Sequence, residues 1–355
     1  MKAGIVLLPG DGIGPDVVAA AVRTLTRVGE IYGHTWTFTT KQIGGAALHA
    51  GLPPLPDDTL AAAKANDAVL LGAVGDPGFD GRPPSSRPEA ALLAIRRELG
   101  VYANLRPARA WPGLEDAGPL KPAVLHGTDL VVVRELTGGL YYGQPRGIDA
   151  DGNAAVNTLR YSRGEITRVA RVAFELARTR RGRLVSVDKA NVLEVSRLWR
   201  TVVTELAGEY PEVTLTHEFV DTAAMRLALA PAKFDVLLTE NMFGDILSDE
   251  AGAVCGSLGL LPSASLGDGA GLFEPVHGSA PDIAGKDIAN PIGAIASAAM
   301  LLSDGLGLKT EGAAVIAAIE RTLLSGLRTA DIASPGSRPV GTAAMAEAIA
   351  EQIAA

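Results

Sequence analysis

Along its first 255 residues the chain alternates short runs rich in Val, Ile, Leu and Thr with segments of helical period. "GIVLLPG" (4–10) precedes a helical stretch over 15–32, "TWTFTTK" (35–41) one over 57–66, and "AVLLGAV" (68–74) one over 88–98. A second series follows. "LVVVREL" (130–136) leads to a helix over 163–181, "RLVSVDK" (183–189) to one over 194–209, and "FDVLLTE" (234–240) to one over about 242–254. "VTLTHEFV" (213–220) alternates with period two, as a half-exposed strand does. Parallel strands need crossover connections, and a helix is the usual one, so this order predicts an α/β protein with largely parallel sheets.

From about residue 290 the chain reads as almost wholly helical, with little strand material of its own. Such a tail has to pack on a sheet made elsewhere. The expectation is therefore a discontinuous first domain, 1–103 with 256–355, and a second domain over 104–255. A chain of 355 residues suits two domains of this size.

Composition removes several classes of function. A net charge of −8 speaks against nucleic acid and acidic membranes as partners, because both require a positive field. "RTRRGR" (178–183) is a local exception, and at the end of a helix its cations complement the helix dipole. The single cysteine, Cys255, excludes an intrachain disulfide and a multi-thiolate metal site. The apolar stretch 3–8 is too short for a signal peptide. The longest apolar run, "IGAIASAAMLL" (292–302), is far below the ~20 residues of a membrane span. A cytoplasmic protein is expected.

Against this background a few side chains stand out. "NMFGDILSDE" (241–250) puts Asp245 and Asp249 one helical turn apart, where two carboxylates repel unless a cation separates them. They read equally as a solvated acidic face or as a divalent-metal site. Arg96, Arg106 and Arg134 lie at or near the ends of strands or helices. Arg134 closes a Val-Val-Val run, where a guanidinium is costly to bury without an anion. Structural ion pairs and an anionic small ligand both fit them. Lys189 follows a strand, at the end where α/β sheets present ligand-binding groups; it is a surface lysine or a proton acceptor. Tyr141 and Tyr142 sit in the glycine-rich "TGGLYYGQPRG" (137–147), as packing residues or a general acid. "LPGDGIGPD" (8–16) fails the dinucleotide pattern, since Pro15 stands where G-x-G-x-x-G requires glycine. It reads as a tight strand-to-helix junction with proline in the first turn. "GLFEPVHGSAPDIAGKDIANP" (271–291) reads as one long Gly/Pro-punctuated loop, a type that is more often functional than filler. In it Asp282 is placed to accept bonds from ribose hydroxyls.

Together, "LPGDGIGP", "ANLRP", "VRELTGGLYYGQPRG", "VDKANVLE", "NMFGDILSDEAG" and "FEPVHGSAPDIAGKDIANP" resemble the isocitrate/isopropylmalate family of β-decarboxylating dehydrogenases, in order from residue 4 to about 350. The resemblance implies a two-domain fold of that family's own type, not a standard Rossmann fold. Most of the NAD site would lie in the first domain; the dimer interface and the metal and substrate residues would lie in the second.

Within the family it points to NAD-dependent oxidative decarboxylation of 3-isopropylmalate to 4-methyl-2-oxopentanoate and CO2, a step of leucine biosynthesis. A D-malate or β-alkylmalate enzyme is the nearest rival, and a non-catalytic subunit of the same fold the rival of another class. The resemblance implies Mg2+ or Mn2+ on Asp245, Asp249 and Asp221, the hard-cation preference of carboxylate oxygens. It implies a homodimer with shared active sites, to which Asp221, Lys189, Asn191 and Val192 come from the neighbouring subunit.

Arg96, Arg106 and Arg134 would bind the substrate's carboxylates, Lys189 with Asp221 would take the hydroxyl proton, and Tyr141 would return a proton to carbon. Leu92, Leu93 and Val192 would form the isopropyl pocket, with Glu89 nearby disfavouring a third carboxylate. Glu274, His277, Gly278, Ser279, Ala280, Pro281, Asp282, Ile283 and Asn290 would bind NAD. Relatives that prefer NADP carry lysine and tyrosine in place of Asp282 and Ile283. One departure is visible: Glu240 stands where some relatives have glycine.

Overall fold

The computed structural model describes residues 1–334 and 337–354. The chain separates into two compact units: Met1–Val101, Trp111–Pro119 and Cys255–Ala355 form the first, and Tyr102–Ala110 with Leu120–Val254 the second.

In the first unit the strands run in the order Thr35–Thr40, Lys2–Gly10, Ala68–Ala73, Gly271–Pro275, Pro262–Gly267. The first four are mutually parallel, and only the last pair is antiparallel. Ala68–Ala73 is buried along its whole length, which is why it reads as a continuous apolar run and not as an alternating one. The helix Ile292–Met300 is equally buried and carries no charged residue. Apolar on every side, it can only be a core helix. It packs on the strands Gly271–Pro275 and Pro262–Gly267 and on the helices Gly14–Tyr32 and Lys309–Leu324.

The segment Trp111–Pro119 belongs with this unit although its neighbours in sequence do not. Arg328 holds it. That buried guanidinium donates to the carbonyls of Leu323 and Leu327 and to that of Gly113. Cys255 is buried as well, and burial pushes its thiol up to about 12.

In the second unit the order is Val101–Arg109, Asp129–Glu135, Val236–Thr239, Arg183–Asp188, Thr214–Phe219. All neighbours are parallel except the first pair. Thr214–Phe219 is the outer strand and half exposed, as its alternating pattern predicts. The helix Arg163–Thr179 starts in a capping box: Ser162 accepts from the Glu165 amide, and Glu165 accepts from Ser162. Its stripe Ile166, Val169, Ala170, Ala173, Phe174 and Ala177 faces the sheet. "RTRRGR" is spent on structure, with Arg180 pairing with Asp235 at 2.9 Å and with Asp129 at 3.0 Å.

Two readings from sequence need amendment. Gly271–Pro275 is a buried strand, so the functional loop begins at Val276. Val101–Arg109 and Pro262–Gly267 are strands as well, and they supply the antiparallel pairs. Among the described residues no helix is long and apolar enough to cross a membrane.

Candidate active site

The parallel strands of the second unit end where the chemistry gathers. Arg134 is the penultimate residue of Asp129–Glu135, Lys189 follows Arg183–Asp188, and Glu240 follows Val236–Thr239. The carboxyl ends of parallel strands are where open α/β sheets hold ligands, because the following loops are free to vary.

Asp245 and Asp249 stand on the helix Asn241–Cys255 as the i, i+4 pair anticipated from sequence. Each meets a buried arginine. Arg134 Nη1 donates to Asp245 Oδ1 at 2.5 Å, and Arg106 Nη1 to Asp249 Oδ1 at 3.0 Å. Arg106 also lies 3.4 Å from Asp245. Leu247 points into the core, while the side chains of Asp245 and Asp249 remain 33% and 55% exposed, so the acidic face is open to a ligand. Burial raises the Asp249 carboxyl above its ordinary value; Arg106 opposes that shift and the Asp245 charge adds to it.

Both arginines are aimed by neutral groups. Arg106 Nε donates to Asn104 Oδ1 at 2.9 Å and its Nη1 to Ser248 Oγ at 2.8 Å. Arg134 is 2% exposed, and its Nε and Nη2 donate to Asn241 Oδ1 at 3.0 and 2.8 Å. Its stem crosses the helix at Gly244, where an added Cβ would lie 2.6 Å from Arg134 Cγ. Glycine is required there because a buried arginine occupies the space of a side chain.

Tyr141 ends a short 3-10 turn, Gly139–Tyr141, and its hydroxyl donates to Asp245 Oδ2 at 2.9 Å. Burial and the Asp245 charge push the phenol up to about 12, so it keeps its proton at neutral pH. Lys189 Nζ donates to Asp221 Oδ1 at 2.5 Å and holds that carboxyl below its usual value. Asn191 and Val192 follow in the same loop, both exposed. Among the described residues no three His, Cys, Asp or Glu side chains form a group that could hold a metal ion, so Asp221 does not join Asp245 and Asp249 within one chain.

Behind this cluster lies a layer that sequence reasoning missed: Asn241, Glu135, Tyr161 and Ser248. The Glu135 carboxylate accepts from the Thr137 and Gly138 amides at 3.1 and 2.8 Å and is hydrogen-bonded to Tyr161. Tyr161 in turn accepts from the Asn241 amide at 3.1 Å. Only their burial and their partners mark these residues, and no local spacing announces either.

The first unit carries the remaining candidates. Arg96 is buried on the helix Pro88–Glu98 and donates to Glu274 Oε1 at 2.6 Å. Leu92 is half-buried and Leu93 exposed on the same helix. Past Pro275 the loop is pinned along its length. Ser279 O accepts from the Ile13 amide at 2.8 Å, and Gly285 donates to Asp16 at 3.1 Å. At Gly12 an added Cβ would strike the Ser279 carbonyl, so the glycine of the "GDGIG" turn serves this close approach. Asn290 is buried; its amide donates to Asp331 at 3.0 Å, and its oxygen accepts from Ile292 at 3.0 Å.

Gly278 is exposed, Ser279 is half-buried, and Ala280 adopts a left-handed conformation before the turn Pro281–Ile283, which leaves Asp282 exposed. His277 Nδ1 lies 2.9 Å from Gly278 O, while its buried Nε2 has no hydrogen-bond partner among the described residues. An orphaned ring nitrogen beside a pinned loop is what a polar cofactor would satisfy.

The family model of isocitrate/isopropylmalate dehydrogenases matches residues 4–349. The 3-isopropylmalate dehydrogenase of Geobacillus kaustophilus is 56% identical, over 97% of this chain and 94% of its own length. That of Aquifex aeolicus is 53% identical, over 99% and 97%. Among solved structures, isocitrate dehydrogenase from Methylococcus capsulatus superposes with a TM-score of 0.88 at 38% identity, covering 99% of both chains. A β-decarboxylating dehydrogenase from Thermococcus kodakarensis gives 0.80 at 39% identity, over 99% of this chain and 96% of that one. With a family-wide match along nearly its whole length, and the arginine–aspartate cluster its motifs anticipate, the chain belongs to the isocitrate/isopropylmalate dehydrogenase family.

Proposed function

We propose that the protein catalyses the NAD-dependent oxidative decarboxylation of 3-isopropylmalate to 4-methyl-2-oxopentanoate and CO2, in the cytoplasm and as a step of leucine biosynthesis. The observation that carries this reading is the cluster of Arg106, Arg134, Tyr141, Asp245 and Asp249 on one side of a single helix. Support for the substrate comes from relatives named for 3-isopropylmalate, which are 53–56% identical over nearly the whole chain.

The donor set fits a hard divalent cation. Asp245 and Asp249 offer only carboxylate oxygens, they are partly desolvated, and their mutual repulsion is what a cation relieves. Asp245 and Asp249 of one chain, with Asp221 of a neighbouring chain, would hold Mg2+ or Mn2+. The bound cation supplies a Lewis acid for the decarboxylation. The loop from His277 to Asn290 would hold NAD, whose nicotinamide would supply the hydride acceptor. Asp282 favours NAD over NADP, since an acid beside the ribose repels a 2′-phosphate.

The chain's own groups then have definite tasks. Arg96, Arg106 and Arg134 bind the two carboxylates of the malate moiety through charge-assisted hydrogen bonds. Lys189 of the neighbouring chain, assisted by Asp221 of that chain, takes the C2 hydroxyl proton as the hydride leaves. Loss of CO2 from the carboxyl on C3 leaves an enol, and Tyr141 gives its proton to C3. Leu92 and Leu93, with Val192 of the neighbouring chain, receive the isopropyl group. Three carbons at about 0.8 kcal/mol each attract it by only about 2.4 kcal/mol, so rejection of isocitrate rests on stranding its third carboxylate.

A homodimer completes the reading. Its support is the set of large apolar side chains left exposed on the second unit: Ile148, Val156, Val192, Met225, Leu229 and Ile246. The test is NADH formation with 3-isopropylmalate, isocitrate and D-malate, each with Mn2+ and again with excess EDTA. Metal-dependent turnover with a clear preference for 3-isopropylmalate is expected; equal rates with D-malate would remove the pocket, and indifference to EDTA the cation.

A further inference from the structure

The helix that carries Asp245 and Asp249 starts with every amide of its first turn satisfied. Asn241 N donates to the Tyr161 phenol at 3.1 Å. Met242 N and Phe243 N donate to Oε2 and Oε1 of Glu240, both at 3.0 Å, and Gly244 N to the Glu240 carbonyl at 2.8 Å. Serine, threonine, aspartate and asparagine are the usual residues at this position; a glutamate reaching back with both oxygens is not. Glu240 is 5% exposed, and nothing in the reaction outlined above uses it.

Burying that carboxylate is costly, more so with Glu135 nearby, and desolvation lifts its pKa above the ordinary value. The compensation is local: two amide donors, the positive end of the helix dipole, and the charge of Arg134. A cap that expensive is informative because of what it immobilises. Asn241 is fully buried, fixed through its backbone by Tyr161 and through its side-chain Nδ2 by the Gly138 carbonyl at 3.0 Å. Its Oδ1 receives Arg134 Nε and Nη2 together, and this turns Nη1 toward Asp245. The first helical turn is thus the seat of the guanidinium.

We propose that Glu240 is a positioning residue for Arg134. Its buried carboxylate locks the first turn of the helix so that the Asn241 amide oxygen meets the Nε–Nη2 edge of the arginine and aims the rest at substrate. The inference rests on the reading of Arg134 as a ligand of the substrate carboxylate, and it gives a specific role to a position at which some relatives carry glycine.

The test compares Glu240→Gln and Glu240→Asp in the native chain and with Arg134→Lys. Glutamine places an NH2 group against an amide donor. The KM for 3-isopropylmalate should rise about tenfold, the size of one lost bond to a charged group, with the KM for NAD within about twofold of the native value. Aspartate, a natural cap, should restore the substrate KM to within about twofold. A lysine at 134 cannot present two N–H groups to Asn241. In that background Glu240→Gln should no longer move the substrate KM, although it still lowers the melting temperature.

Equal KM steps in both backgrounds, or no step in the native chain, would overturn the proposal. If Glu240→Gln does not accumulate as folded protein, Tyr161→Phe removes the backbone anchor of Asn241 and should give the same selective rise; an unchanged substrate KM there overturns it too. A crystal structure of Glu240→Gln decides the matter independently of substrate. Arg134 should leave Asn241 Oδ1, and retention of both contacts would be fatal. Native enzyme that fails to turn over 3-isopropylmalate would instead refute the functional reading, leaving the crystallographic arm to judge the positioning role.

Discussion

Arg134 donates to Asp245 at 2.5 Å while its stem lies across Gly244, the residue next to that aspartate. Charge and backbone shape are therefore set together. In Gly244→Ala the new Cβ would stand 2.6 Å from Arg134 Cγ and 2.7 Å from its Cβ, and the arginine has to shift. Alanine favours the helix by up to about 1 kcal/mol, which offsets part of the clash. We expect kcat/KM for 3-isopropylmalate to fall about a hundredfold, as small misplacements at a reacting centre do. Steady-state kinetics beside a thermal melt checks this: activity should drop far more than stability.

Asp249 allows the cation to be tested with little structural penalty. Its side chain is 55% exposed, so its ion pair with Arg106 contributes at most about 1 kcal/mol to stability. Asp249→Asn should leave the urea midpoint nearly unchanged while the Kd for Mn2+ by titration calorimetry rises at least about tenfold. Asp245→Asn should lose turnover, with the oligomeric state by light scattering unchanged from the native protein. Native Mn2+ affinity in either variant would contradict the assignment.

Two histidines give the protein an acid limit. Desolvation holds both His217 and His277 below the ordinary histidine value. Their neutral forms are favoured in the fold, so the unfolded chain takes up protons first as pH falls through about 6.5. Stability present at neutral pH is then lost toward the lower folded values, by up to about 1.4 kcal/mol per pH unit for each group. Urea melts of the native protein and of His217→Asn with His277→Asn, at about pH 7, 6 and 5, should show a flatter profile for the double variant.

Asp282 is exposed on the turn Pro281–Ile283, so replacing it tests the proposed cofactor preference with little effect on the fold. Asp282→Lys combined with Ile283→Tyr should raise kcat/KM with NADP and lower it with NAD, a change in their ratio of at least about a hundredfold. Melting temperature should hardly move. An unchanged ratio would separate Asp282 from cofactor choice.

The parallel α/β pattern and the helical aspartate pair are legible in the sequence. Asp245 and Asp249 announce themselves because a helix converts a spacing of four into adjacency. Arg134 does so because a charge at the end of three valines needs an explanation. The parallel strands were readable where both faces are buried, as in Ala68–Ala73. Strands that combine proline or glycine with polar residues were not. Gly271–Pro275 passes for loop because its pairing to Ala68–Ala73 joins residues about 200 positions apart, and no window of sequence contains both. The layer behind the site was invisible for the same reason. Asn241 reaches Arg134 across 107 positions and Tyr161 across 80, so its role depends on which strand ends the fold brings together.

Cys255 has a practical use. Its thiol is sealed in the interior and keeps its proton far above neutral pH, so it is poorly reactive toward maleimides and iodoacetamides. A cysteine introduced on either unit would be the dominant reactive handle on the chain. A fluorophore attached by that route could report on one chosen site without first stripping the native residue.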